Sequence, residues 1–135
     1  MSKASGLGWT TLSVGDATNT PQDIRNDITN LDFATPRAVQ DTTGIDKFAN
    51  ERLLLLADFS INLQGVFNSA ANKSHAVFSS VTSTSVIRAT TMTVNAANLN
   101  VNCYYTDYPL TRDAGGALTW KVPGALADGA VPTWS

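Results

Sequence analysis

The stretch FSINLQGVF, residues 59–67, decides the fold class of this chain. Apolar and polar residues alternate along it: Phe59, Ile61, Leu63 and Phe67 against Ser60, Asn62 and Gln64. Because successive side chains of a β-strand point to opposite faces, this alternation predicts a strand with one face in a core and the other in solvent.

Apolar runs bounded by turn residues predict further strands on both sides of this one: residues 6–14, 85–94, 99–108 and 117–122. Residues 95–98 form a turn that joins two of them into a hairpin, and residues 113–116 form another. Pro123 and Gly124 are expected to end the last strand, and residues 126–135 to be loop.

Two short helices are predicted between the strands. Thr20 and Pro21 suit the start of a helix, and Ile24, Ile28 and Leu31 follow at helical spacing, so residues 21–31 are expected to be an amphipathic helix. Residues 70–79 are expected to form a second helix, capped by residues 68 and 69.

Residues 36–58 are the hardest part to interpret. Pro36 cannot donate to a sheet, so a strand here is an edge strand or begins after it. Residues 44–58 are too long for a tight turn and end in four leucines, Leu53–Leu56. These leucines either contact a neighbouring subunit or begin the strand that continues through Phe67, and the sequence leaves both possibilities open.

The composition supports a β protein. Of the 135 residues, 39 are Thr, Ser or Asn, and only 15% are charged, against about 25% in typical domains. The chain is therefore predicted to be mainly β, as one domain over residues 1–135. We expect an antiparallel β-sandwich or partial barrel with one or two short helices and a long loop.

The charge pattern argues against several classes of function. The net charge is −2 and the pI is about 5.1, with no basic run of the kind that tight nucleic-acid binding requires. The sequence has no run of about 18 apolar residues, so no membrane-spanning helix is predicted, and no signal peptide is expected.

Candidate catalytic residues do not form a recognisable pattern. His75 and Cys103 are each the sole residue of their type, and Asp107 and Asp113 have nothing in the sequence that would hold them together. Three tryptophans could form a sugar-binding platform, although their spread favours a role in the core: Trp9, Trp120 and Trp134. We expect no enzyme, no cofactor and no metal site.

Taken together, six segments of the chain resemble the tail tube proteins, also called major tail proteins, of long-tailed, non-contractile siphophages, especially actinobacterial ones. The resemblance lies in the order of the elements rather than in one motif. It is carried by residues 23–31, 36–43, 51–58, 59–67, 68–78 and 118–134.

This resemblance implies a structural virion protein. Six copies of such a protein form a ring whose inner strands close into a β-barrel, and stacked rings form the conduit for DNA ejection. The implied partners are other copies of the chain, the tape measure, tail terminator and distal tail proteins, and DNA in transit. The implied location is the virion tail, assembled in the host bacterial cytoplasm, with no membrane.

Two groups of residues are candidates for roles in such a tube. Contacts between rings or subunits are expected from Asp46, Lys47, Phe48, Glu51, Arg52 and Leu53. The polar face of residues 59–67 is the candidate lumen surface, with Ser60, Asn62 and Gln64.

A β-sandwich binding module is the alternative from another functional class. A capsid decoration protein would attach to capsids rather than assemble into tubes, and a carbohydrate-binding domain would be monomeric with clustered surface aromatic residues. Self-assembly distinguishes the tail tube hypothesis from both.

Overall fold

The computed structural model describes residue 3 and residues 5–135, and strands dominate this part of the chain. The strands are β1 (Trp9–Gly15), β2 (Pro21–Asp23), β3 (Ile28–Ala34), β4 (Arg37–Asp41), β5 (Arg52–Ala57), β6 (Ser60–Val66), β7 (Arg88–Val94), β8 (Ala97–Tyr105), β9 (Leu110–Arg112) and β10 (Leu118–Leu126). Helical structure is limited to α1 (Ser74–Phe78) and 3-10 turns at Gly6–Gly8 and Arg25–Asp27. No helix among the described residues is long and apolar enough to cross a membrane.

Eight strands form one antiparallel sheet in the order β2-β1-β7-β8-β10-β6-β3, with β9 on the side of β10, while β4 and β5 form a separate two-stranded sheet. The large sheet rolls over onto itself. Trp9 of β1 and Phe33 of β3 lie with ring centroids 6.4 Å apart, although four strands separate β1 from β3 in the sheet. The mainly β, antiparallel fold predicted from the sequence is therefore confirmed.

The core fills the inside of this rolled sheet. It contains Ile61 and Leu63 of β6, as the alternation in residues 59–67 predicts, and neither side chain is exposed. Trp120 of β10 is buried against Phe78 of α1, with ring centroids 5.2 Å apart. One apolar cluster thus joins the sheet to the helix.

Two buried charged side chains attach α1 and its flanking loop to the sheet. The Asp27 carboxylate accepts hydrogen bonds from the Ser74 backbone N–H at 3.0 Å and from Asn68 Nδ2 at 2.8 Å. The Arg88 guanidinium donates to the carbonyls of Gly15 and Val77. Since buried polar groups are costly without partners, these bonds fix where α1 begins and ends.

The strand predicted over residues 59–67 is confirmed as β6, and the predicted hairpin is confirmed as β7 and β8. Its bounds differ, because β7 begins at Arg88 rather than at residue 85 and β8 is Ala97–Tyr105 rather than residues 99–108. Its turn consists of Asn95 and Ala96, which both have positive φ, as a tight two-residue hairpin turn requires. The first predicted strand is also present, but it begins at Trp9, after the 3-10 turn at Gly6–Gly8.

The helix predicted over residues 21–31 is wrong. This segment forms β2, a 3-10 turn and the first half of β3. The register between β3 and β6 shifts between Ile28 and Asn30, and such a bulge inserts one extra residue into the strand. Ile28 and Leu31 therefore pack on the core together, three residues apart, which imitates the spacing of a helix.

Two other predicted boundaries also differ. The helix expected over residues 70–79 is limited to α1, which begins where Asp27 holds the Ser74 N–H. β10 continues through Pro123 to Leu126. Pro123 is tolerated because it lies in the gap between β9 and β8 along β10, where its carbonyl accepts a bond from the Thr106 N–H.

Leu53–Leu56 form a strand, but this strand does not continue into β6. It is β5, which pairs with β4 and is separated from β6 by Asp58 and Phe59. The excursion predicted over residues 44–58 is thus the second half of a β-hairpin, which we call the β4–β5 hairpin (residues 37–57).

Candidate self-assembly surfaces

The β4–β5 hairpin lies outside the core. All residues of β4 are exposed, and so are all residues of β5 except Ala57, which is half-buried. The base of the hairpin is closed by the Asp58 N–H, which donates to the Pro36 carbonyl at 2.9 Å, and by Arg37, which donates to the Leu55 carbonyl. A two-stranded hairpin is at best marginally stable by itself in water.

Apolar side chains cover both faces of β5. Alternation along the strand places Leu53 and Leu55 on one face and Leu54 and Leu56 on the other, and Leu56 is 90% exposed. A continuous apolar run is typical of a strand that is buried on both faces. The chain therefore exposes a strand whose sequence is typical of a buried one.

The loop of the hairpin, residues 42–51, is closed by polar bonds. The Glu51 N–H donates to Thr43 Oγ1 at 2.8 Å, and the Thr43 N–H donates to the Asp41 carboxylate at 2.9 Å. The hydrogen bonds from Thr43 lower the pKa of Asp41. These bonds hold a loop that carries two fully exposed apolar side chains, Ile45 and Phe48.

All six candidate contact residues lie on this hairpin. Asp46, Lys47, Phe48 and Glu51 belong to its loop, and Arg52 and Leu53 begin β5. Asp46 and Lys47 form an exposed ion pair at 3.8 Å, and such pairs contribute little to stability. The charges of the loop are thus available to a partner, and the contacts of these six residues with another copy stay a prediction.

The candidate lumen residues lie on the outward face of β6. Ser60 and Asn62 are exposed and Gln64 is half-buried. Asn62 is flanked by Asp32 of β3 and Pro123 of β10, and Gln64 by Asn30 and Lys121. This face contains a groove of about 460 Å³ whose charged residues are Asp32, Asp107 and Lys121. Whether the face lines a lumen stays a prediction.

One long edge of the large sheet is free in the described part of the chain. β3 pairs with β6 on one side, and no strand covers its other side. Free edges readily pair with other chains. The edge of β3 is therefore a third candidate surface. It cannot be predicted when residues 21–31 are interpreted as a helix.

None of the hydrogen bonds of the described residues joins two of the candidate catalytic residues. Nδ1 of His75 is 3.3 Å from the Tyr108 hydroxyl, and Cys103 is buried in the core, where desolvation raises its pKa to about 11. The carboxylates of Asp107 and Asp113 accept bonds from backbone N–H groups of their own loops. Among residue 3 and residues 5–135, no group of three His, Cys, Asp or Glu residues could hold a metal ion.

The fold matches solved structures over nearly its whole length. A chain in the virion of a native gene transfer agent (GTA) particle superposes with a TM-score of 0.77 at 13% identity, covering 98% of this chain and 99% of that one. A chain in the tail of an empty GTA particle, computed with helical refinement and C6 symmetry, superposes at 0.78 and 12% identity with the same coverage.

This chain has the fold of those particle chains. No family model and no curated protein matches its sequence. What the comparisons add to the exposed hairpin and the free edge of β3 is therefore a shared fold.

Proposed function

We propose that this chain is a structural subunit of a phage-type tail tube, in which copies form rings, the rings stack, and the hollow centre conducts DNA. One observation carries the proposal. The β4–β5 hairpin exposes apolar residues on both faces, on a fold shared along its length with chains of GTA particles, including the tail.

The energetics of the hairpin favour self-assembly. Full burial of one leucine side chain stabilises by about 1.5–3 kcal/mol, and Leu53–Leu56 are all exposed in the free subunit. A neighbouring copy that covers both faces of β5 would gain this free energy for several leucines. We therefore assign the hairpin to contacts between subunits of adjacent rings.

Ring closure would use the free edge of β3. Exposed edge strands promote uncontrolled association unless they are covered or used, and pairing with the next copy around a closed ring removes the edge. The ring number of six is supported by the C6 symmetry of the GTA tail. At the ends of the tube, the same surfaces would meet other tail proteins.

The outward face of β6 suits a lumen. Ser60, Asn62 and Gln64 carry no charge, and the groove beside them holds two carboxylates against one amine. DNA phosphates bind basic surfaces strongly, so a neutral to acidic wall lets DNA pass without being held.

The alternative of a monomeric binding module explains the hairpin less well. A carbohydrate platform would need several exposed aromatic rings side by side. Trp9 and Trp134 both pack against Phe33, with ring centroids 6.4 and 6.0 Å away, but Trp9 and Phe33 are half-buried and Trp120 lies in the core. A capsid decoration protein needs one surface for the capsid, whereas the hairpin exposes leucines on two faces.

Light scattering and negative-stain microscopy of the purified chain over a concentration series test this proposal. We expect rings or tubes of the order of 100 Å wide, the width of six such domains around a centre. A protein that stays monomeric at every concentration would contradict it.

Shortening the hairpin loop separates stacking from ring formation. Deleting residues 45–49 and bridging with glycine leaves the core untouched, because these residues are all exposed. We expect a folded monomer or single ring that no longer stacks. Long tubes from this variant would show that the loop is not the stacking element.

A further inference from the structure

A pocket with both polar and apolar lining lies between β1 and β3, at the open side of the rolled sheet. It is an open concavity with a volume of about 440 Å³. Its apolar lining is Trp9 and Leu12 from β1 and Ile28 and Leu31 from β3, and its polar lining is Arg25, Thr29 and Asn30. No part of the hairpin lines it.

Trp9 in this pocket has an unmet polar requirement. Its indole Nε1 is shielded from solvent and has no hydrogen-bond acceptor among the described residues. Buried tryptophan N–H groups usually have a partner, so an incoming group with a carbonyl oxygen would complete the site. An apolar side chain accompanied by a hydrogen-bond acceptor would therefore fit this pocket.

The charges at the rim favour one kind of occupant. Arg25 lies at the rim with its ion-pair partner Asp23, at 3.1 Å, and Lys73 lies in the adjoining groove. Two cations against one anion leave this rim with a net charge of +1. The hairpin loop, residues 42–51, holds Asp46, Lys47 and Glu51, which give it a net charge of −1.

The same loop carries the apolar side chains that such a pocket accepts. Phe48 and Ile45 have nothing packed against them, since each is as exposed as in an extended peptide. Aromatic anchors that fill pockets dominate binding energy at protein interfaces. Loop carbonyls around Phe48 would provide acceptors for the Trp9 N–H.

The pocket and the hairpin of one copy lie at different places along β3. The pocket borders Ile28–Leu31, in the first half of the strand, which leaves Asp32–Ala34 for edge pairing around a ring, and the hairpin begins after Ala34. A contact between two different surfaces is heterologous, and heterologous contacts propagate into rings or filaments. Each copy offers one loop and one pocket, so every copy in a polymer can use both.

We propose that Phe48 of one copy inserts into the pocket beside Trp9 of another copy. This proposal rests on the proposed function, since it names the docking surface of the stacking hairpin. Asp46 and Glu51 face the basic rim, and a loop carbonyl accepts the bond from the Trp9 indole.

Disulfide cross-linking tests the contact directly. The variant carries Ala49→Cys beside Phe48 and Thr29→Cys in the lining of the pocket, both at exposed positions, in a Cys103→Ala background. Under oxidation of the assembled protein, we expect a ladder of linked species on a non-reducing gel. The matched control pairs Ala49→Cys with Thr111→Cys on exposed β9, and each single-cysteine variant is run beside it.

A second pair of cysteines tests the same contact, in case the first pair has a geometry that does not allow a disulfide. Asn50→Cys in the loop and Asn26→Cys at the rim are also exposed and replace no core residue. In addition, Phe48→Ser is expected to raise the concentration needed for polymerisation at least about 30-fold, the size of an interface hot spot.

The outcomes separate the two proposals. If the unmodified chain polymerises but neither pair links more strongly than its controls, the pocket is not the docking surface, and the proposed function stands. If the unmodified chain does not self-associate at any concentration, both proposals fail.

Discussion

Replacing two leucines of the hairpin with threonine, Leu54→Thr and Leu56→Thr together, should prevent polymerisation while leaving the subunit folded. Threonine keeps the preference for a strand, and both side chains are on the same face of β5. In the free subunit they are 56% and 90% exposed. The loss of burial there is about 1 kcal/mol and is confined to the hairpin, so Tm should move by only a few degrees.

The effect on assembly is larger. The two residues expose about one and a half leucine side chains, so covering them in a polymer contributes roughly 2–4 kcal/mol per contact. Since 1.4 kcal/mol is a factor of ten, the concentration at which the protein polymerises should rise roughly 30- to 700-fold.

Sedimentation of a concentration series measures this shift, and circular dichroism checks the fold. The matched control is Ile87→Thr, which removes an apolar side chain that is 37% exposed in the loop before β7 and should polymerise like the unmodified chain. Polymerisation of the double variant at the unmodified concentration would refute the argument that the hairpin is buried by another copy.

Three further predictions concern the core and the lumen. Leu63→Asp should prevent folding, because an unpaired charge at a fully buried site costs several kcal/mol against a stability of about 5–15; a folded variant by circular dichroism would contradict it. Replacing Ser60, Asn62 and Gln64 with lysine should leave the fold intact and give the polymer salt-sensitive DNA binding, which the unmodified polymer lacks; no gain in a filter-binding assay would remove this face from the lumen. Cys103 should resist thiol reagents at pH 8 until the protein unfolds, and rapid labelling of the native protein would contradict this. Because folding raises the pKa of Cys103 from 9.0 to about 11, its contribution to stability should be complete below pH 9 and be lost between pH 9 and 11. A free energy of unfolding that does not fall in that window would contradict the second expectation.

The strands that lie half in the core were predictable from the sequence. Residues 59–64 alternate between apolar and polar, and β6 follows that alternation residue by residue. The turn at Asn95 was also predictable, because few residues tolerate positive φ and asparagine is one of them. In both places a local rule and the final packing agree.

β3 was not predictable because a bulge changes its period. With one extra residue between Ile28 and Asn30, a strand shows three-residue spacing, and this spacing cannot be told from one turn of a helix. Only pairing with β6, more than 30 residues away, decides between the two.

The hairpin shows a different limit. The run Leu53–Leu56 is typical of a buried strand. The sequence does not indicate whether such a strand is buried within its own chain or against another copy. The pocket beside Trp9 was invisible for the same kind of reason, since β1 and β3 meet only when the whole sheet rolls. The six contact candidates could be named because charges and leucines lie together in the chain.

Cryo-electron microscopy of the assembled protein tests the central claim most directly, since it locates the β4–β5 hairpin in the polymer. We predict a hollow tube of stacked rings in which the hairpin bridges successive rings, Leu53–Leu56 are covered on both faces, and Ser60, Asn62 and Gln64 face the channel. Polymers in which the hairpin projects into solvent, or a protein that forms no polymer, would contradict the account.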